Sequence, residues 1–247
     1  MPIADDPEGI ELRNILKAVS LKGKDVLEVG CGEGRLTFRY FHKARRVVAI
    51  DSDLARIRAA RRSQRKGEKH LEFKVGRAEA LRFPDSSFDV VFFSWSLCCV
   101  DVPAIGRALD EAWRVLRPGG TLLNLQPSLY QPFGKGVVPY LIQGQFGTSV
   151  DDDRYRQSRL ALKYASLIET KFSFISEEEF SIETRYDTSK EALNDLIADY
   201  KEDYRALGRA AKDRVKEAIE SMRAKEGCCV KDNVVLTVLK KATIAQP

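Results

Sequence analysis

Cysteine is scarce and odd in number in this 247-residue chain: five residues, as Cys31, Cys98–Cys99 and Cys228–Cys229, with no CxxC spacing. That pattern argues against a disulfide framework or a zinc knuckle and fits a reducing, cytoplasmic setting. Long apolar runs are missing too. The longest uncharged run that is also largely apolar, Val90 to Val100, has eleven residues, and a bilayer-spanning helix needs about 20. The first ten residues, MPIADDPEGI, hold neither a basic region nor an apolar core, so no leader peptide is expected. Glycine (16) and proline (9) are too few for a low-complexity chain. What remains, 44% apolar and 31% charged residues, is the composition of a globular domain able to bury a large core.

Charge is mildly positive, +5 overall, but unevenly placed. Between Lys43 and His70 stand ten Lys or Arg and three Asp or Glu. A solvated helix face explains such a run. An anionic partner, nucleic acid or acidic lipid, is the sharper alternative. No aromatic residue interleaves with it, which disfavours stacking on nucleic acid.

The first 126 residues alternate apolar strands with helical patterns. Strands are predicted at 25–29, 46–50, 71–75, 88–93 and 121–125, with helices over 8–19, 36–41, 54–65 and 104–116 between them. Continuous apolar strands separated by helices imply a parallel sheet covered on both faces. Residues 127–150 then read as an irregular, aromatic-rich lid. A helix is expected over 154–174, a strand over 179–186, a long helix over 189–225 that Gly208 divides, and a last strand over 233–240. The predicted organisation is one domain: a core over 1–126, a cap insertion over 127–175 and a closing strand–helix–strand over 176–247.

The most informative stretch is Val26-Leu-Glu-Val-Gly-Cys-Gly-Glu-Gly-Arg35. A strand runs into Gly30, Gly32 and Gly34, and a helix follows. Glycines permit a sharp turn and close ligand approach, and a helix start offers free N–H groups. The next strand ends at Asp51, a carboxylate placed to accept from a ribose diol. The spacing is GxGxG, not the GxGxxG that cradles a pyrophosphate, and Glu28 and Glu33 flank it. Two carboxylates disfavour a pyrophosphate, and so a nicotinamide dehydrogenase, and suit a ligand with a cationic end.

Four segments in register, VLEVGCGEG at 26–34, VVAIDSD at 47–53, GRAEALRFPDSSFDVVFFSWSL at 76–97 and RPGGTL at 117–122, resemble the class I S-adenosylmethionine (SAM)-dependent methyltransferases, specifically the methyltransferase type 11 group. The resemblance spans roughly residues 10 to 126. It implies a Rossmann-like α/β fold with a seven-stranded sheet, mostly parallel with an antiparallel last strand, and helices on both faces. It implies SAM as cofactor and S-adenosylhomocysteine as product. By the same resemblance Gly30, Gly32 and Gly34 line the methionine part, with Cys31 among them. Glu28 orients the amino group, Asp51 with Ser52 beside it holds the ribose, Ala78 and Glu79 border the adenine, and Ser94 offers backbone. Many relatives carry Asp where this chain has Arg77, so the adenine contact falls to backbone or Glu79.

Methyl transfer from a sulfonium releases a neutral thioether, so the leaving group needs no acid, and alignment of the reactants dominates. His42 and His70 are expected far from the ligand edge, so a His-assisted reaction is not expected. No catalytic residue and no metal ligand is assigned. Neither an Asn/Asp-Pro-Pro-aromatic turn nor a Pro-Cys pair is present. Cys98 and Cys99 stand near the expected cleft, where packing accounts for them and a soft acceptor is the alternative. Trp95, Tyr130, Phe133 and Tyr140, with Phe146, are candidates to line an acceptor pocket. The expected partner is a small methyl acceptor, apolar or planar, with no membrane partner. An RNA methyltransferase and a non-catalytic SAM-binding regulator are the alternatives.

Overall fold

Every residue of Asp25–Val29 (β2) is buried, as are all but the first of Arg46–Asp51 (β3). Strands covered on both faces need helices on both sides, and the computed structural model supplies them. It describes residues 4–128, 150–167, 171–199, 201–225 and 227–242. The remaining elements are Ala4–Asp5 (β1), Ile10–Ala18 (α1), Thr37–Tyr40 (α2), Leu54–Ser63 (α3), Leu71–Val75 (β4), Phe88–Ser94 (β5), Val102–Val115 (α4) and Leu116–Pro127 (β6). They continue with Val150–Leu167 (α5), Phe172–Tyr186 (β7), Ser189–Asp199 (α6), Lys201–Ala206 (α7), Arg209–Ser221 (α8) and Cys228–Lys241 (β8).

The chain divides into two compact units. The larger comprises residues 12–126, 154–178 and 235–247. Within it the strand order is β7-β8-β6-β5-β2-β3-β4. Strands β2, β3, β4, β5 and β6 pair in parallel, and the last strand is antiparallel. From β2 the chain steps outward to β3 and β4, then returns to β5 on the other side. That reversal leaves a crevice at the carboxyl ends of β2 and β5, where open α/β sheets bind ligands. The core beneath includes Leu27, Val48, Val91, Phe93, Ile105, Leu109 and Leu122, all 4% exposed or less.

Helix α3 starts where it does because Asp53 caps it, accepting from the N–H of Ala55 at 2.6 Å. Helix α4 carries Pro103 in its first turn, where a missing N–H costs nothing. Several predicted bounds shift. The 36–41 helix is a single turn over Thr37–Tyr40 followed by a 3-10 turn over Phe41–Lys43. Of the helix expected over 154–174, Val150–Leu167 is helical, and Phe172–Tyr186 is strand. The long C-terminal helix is broken into three, and Gly208 caps the last of them.

The smaller unit comprises residues 1–11, 127–153 and 179–234. Its strand order is β1-β7-β8, with β1 antiparallel to β7. Leu196, Ala211, Val215 and Ile219 from its helices, with Leu207 between two of them, pack with Tyr186, Cys228 and Val230 from its strands. The buried Asp6 takes the N–H groups of Ile10 and Glu11 at 2.8 and 3.0 Å. All five cysteines are free thiols. Among the described residues no helix is long and apolar enough to cross a membrane.

Candidate cofactor site

Register brings the site together. Val29 lies opposite Ile50 on one side and Phe93 on the other, so the turns after β2, β3 and β5 open at one level. The β2 turn is pinned by the N–H groups of Gly30 and Cys31, both donating to Ile50 O at 2.7 and 2.9 Å. Gly30, Gly32 and Gly34 all have positive φ (80°, 56° and 89°), which side chains seldom tolerate. Their surroundings differ. A Cβ on Gly30 would lie 2.1 Å from Ser96 Cβ, and one on Gly34 would lie 2.7 Å from the Phe38 ring. At Gly32 the nearest atom is Arg56 Nη1 at 3.9 Å, so the backbone there faces open space.

A cavity of about 370 Å³ opens beside this turn. Val29, Gly30, Asp51, Ser52, Asp53, Arg56, Gly76 to Glu79, Trp95, Ser96 and the start of α4 line it. Asp51 is 9% exposed. Its Oδ2 accepts from Gly32 N–H at 2.8 Å and its Oδ1 from Asp53 N–H at 2.9 Å. A carboxylate has about four acceptor sites, so each oxygen keeps capacity toward the cavity. Glu79 is held by Arg77 Nε. Burial works to raise its pKa, but its backbone hydrogen bond and Arg77 outweigh that, and the carboxyl sits below its ordinary value. It therefore presents an acceptor at neutral pH.

Of the residues anticipated for the cofactor, the cavity lining brings together Gly30, Asp51, Ser52, Ala78 and Glu79. Glu28 is 1% exposed and is absent from that lining. Its Oε2 accepts from Thr37 Oγ1 at 2.6 Å and Tyr40 OH at 2.9 Å, which ties β2 to α2. Cys31 is buried, and burial followed by the charges of Glu28 and Asp51 pushes its thiol far up, so it stays protonated and inert. Ser94 is buried at the end of β5, and its successors Trp95 and Ser96 reach the cavity instead. Trp95 has φ +55° and Ser96 Oγ donates to Val29 O, so this turn is locked onto β2. Trp95 therefore lines the same cavity as Gly30 and Asp51. Tyr130, Phe133, Tyr140 and Phe146 lie outside the described residues.

Arg56, Ser96 and Asp101 also line the cavity without having been anticipated. Only the fold brings α3 and α4 beside the glycine turn. Of the two adjacent cysteines, Cys98 is buried, whereas Cys99 is exposed and lines the cavity. No histidine is in the lining. His70 stacks on Phe41 with ring centres 5.2 Å apart, and it immediately precedes β4, at the opposite end of the sheet. Among the described residues no cluster of His, Cys, Asp or Glu could hold a metal.

Residues 27–124 match the family model described as "Methyltransferase domain". The chain is 36% identical over 132 residues to a ubiquinone/menaquinone biosynthesis C-methyltransferase of Bradyrhizobium diazoefficiens, covering 47% of this chain and 51% of that protein. A protein of the same description from Bartonella quintana is 32% identical over 181 residues, covering 67% and 64%. The chain thus spans about half to just under two thirds of these relatives. Among solved structures, YcgJ from Bacillus subtilis superposes with a TM-score of 0.57 at 20% identity, covering 95% of this chain and 98% of that one. A geranyl diphosphate C-methyltransferase from Streptomyces coelicolor, in complex with S-adenosylhomocysteine, superposes with a TM-score of 0.56 at 15% identity, covering 95% and 78%.

Proposed function

We propose that this chain is a class I methyltransferase that binds SAM in the cavity beside the glycine turn and methylates a small acceptor. The observation that carries the reading is Asp51. It is a nearly buried carboxylate at the topological switch point, with both oxygens braced by backbone N–H groups and spare lone pairs facing the cavity. A ribose diol is the natural complement of such a group. The residues fit the cofactor at three further points. The backbone of Gly32 faces space that any side chain would fill. The lining carries Asp51, Asp53, Glu79 and Asp101 against Arg56 and Arg77, a balance suited to a ligand with cationic groups. The third is Glu79, a carboxylate held ionised at the cavity wall.

In this reading Gly30 and Gly32 border the amino-acid end, Asp51 with Ser52 holds the ribose, and Ala78 with Glu79 borders the adenine, Glu79 accepting from its amino group. Bound SAM supplies an electrophilic methyl on a sulfonium. The chain's own part is positional. The Trp95–Ser96 turn and the start of α4 close one wall, exclude water and fix the direction of approach. The cavity offers no histidine base, which fits an acceptor that is already nucleophilic. The relatives' description favours an electron-rich aromatic carbon, such as a quinol precursor, as that acceptor.

Calorimetry with S-adenosylhomocysteine, SAM and NAD tests the reading. The first two are expected to bind and raise the melting temperature, and NAD is not. Turnover of SAM should then require an added quinol-type acceptor. NAD binding without S-adenosylhomocysteine binding would overturn the assignment.

A further inference from the structure

Residues 54–75 hold eight basic and two acidic side chains. That surplus of six exceeds the net +5 of the whole protein, so the rest of the chain is on balance slightly acidic. The structure places the surplus on one side of the fold. Ile57 and Ala60 are the buried face of α3. Leu54, Arg58, Arg61 and Arg62 recur at i, i+4, i+7 and i+8 and form one exposed stripe. Arg61 fixes where that stripe points. Its Nε and Nη2 donate to Phe73 O at 3.0 and 2.6 Å, holding it against β4, the edge strand of the sheet. Lys66 and Lys69 extend the charge into the loop before β4.

The acids of the stretch do not offset it. Glu68 turns back onto the N–H of Arg65 at 3.1 Å, and Glu72 is paired with Lys74 at 2.9 Å. Among the described residues, Arg58, Arg62, Lys66 and Lys69 have no ion-pair partner. Two large apolar side chains stand on the same rim, Leu54 (45% exposed) and Val75 (49% exposed). Val75 pairs in register with Asp51, and Leu54 follows Asp51 by three residues. Both therefore flank the mouth of the cofactor cavity, beside Ser52, Asp53 and Gly76, which line it.

We propose that this face docks on an anionic lipid surface. Unpaired cations with a pair of projecting apolar side chains are what a bilayer interface takes up: phosphate meets the cations and acyl chains receive the tips. A nucleic-acid surface would want stacking rings, and residues 54–70 contain no Phe, Trp or Tyr. The expectation of no membrane partner rested on the lack of a spanning segment, which peripheral docking does not need. Docking would bring the cavity mouth to an apolar acceptor dissolved in lipid. That use, though not the binding itself, rests on the function proposed above.

The test is vesicle co-sedimentation of the full chain without cofactor. Vesicles are phosphatidylcholine alone, or phosphatidylcholine with about one third phosphatidylglycerol. Binding is expected to the anionic vesicles only. It should fall steeply when salt is raised to about 0.5 M, which shortens screening to roughly 4 Å. Arg58→Gln, Arg62→Gln, Lys66→Gln and Lys69→Gln combined should weaken binding at least tenfold. Affinity for S-adenosylhomocysteine should be unchanged, which establishes that the variant is folded. Leu54→Ser alone should weaken it by a smaller factor that persists at high salt. Equal binding to both vesicles, none to either, or an unaffected quadruple variant would overturn the proposal, as would binding of a single-stranded RNA in place of vesicles. Vesicle binding without S-adenosylhomocysteine binding would instead sink the cofactor reading and leave the docking face standing.

Discussion

Asp25 and Asp51 stand at opposite ends of neighbouring strands, β2 and β3, and their surroundings are opposite in kind. Asp25, 6% exposed at the start of β2, is surrounded by guanidinium groups. Arg45 reaches it at 2.6 Å, Arg117 at 3.0 Å and Arg46 at 3.7 Å. Its capacity is consumed in joining the starts of three strands. Asp51 has no cationic partner of that kind. It accepts two backbone N–H groups, which aim it and leave it able to accept more. A buried carboxylate surrounded by cations is structural. One braced by neutral donors beside a cavity is equipped to bind.

The largest break concerns the turn that gives Asp51 its cavity. Gly30→Val should destabilise the fold by about 2–4 kcal/mol, because its Cβ would meet Ser96 at a positive φ, combining overpacking with backbone strain. Urea titration would show it. A cost under about 1 kcal/mol would mean the β5 turn is not locked there.

Next comes the exchange of the two aspartates. Asp25→Ala is expected to lower stability by about 1–3 kcal/mol, less than a fully buried pair because its arginines are partly exposed. It should leave affinity for S-adenosylhomocysteine unchanged. Asp51→Ala should do the reverse. Affinity should fall by about 1–3 kcal/mol in calorimetry, the range for hydrogen bonds to a charged group, with a smaller loss of stability. The Asp25 effect also has a pH signature. Burial raises its pKa, but Arg45, Arg117 and Arg46 outweigh that and hold it below the ordinary 3.8. The stabilisation is therefore present above pH 3.8 and is lost as pH falls through the depressed folded value. If the two variants behaved alike in either assay, the contrast would fail.

The last comparison concerns a third aspartate, in the smaller unit. Burial and the charges of Asp5 and Glu11 push Asp232 up to about 7. The folded state holds this proton more tightly than the unfolded chain. Stability should thus decline as pH rises from 3.8 to about 7 and level off above. Asp232→Asn should flatten that decline in melting temperature against pH. It should match the parent below pH 3.8 and exceed it above about pH 7.

Much of this was legible in the residues alone. Apolar β-branched strands, a glycine turn and Asp51 at a strand end are local signals. Each is enforced by backbone conformation and burial within a few residues, so sequence order determined a parallel sheet and the place of its crevice. Tertiary structure decided which polar groups are spent and which are free. Glu28 is engaged by Thr37 and Tyr40, and at the end of β5 it is Trp95 and Ser96 that line the cavity. Arg56 and Asp101 joined the cavity because packing of α3 and α4 brought them there. The same packing aligned the α3 arginines into one face. A hydrogen bond has two ends, and the sequence names only one of them.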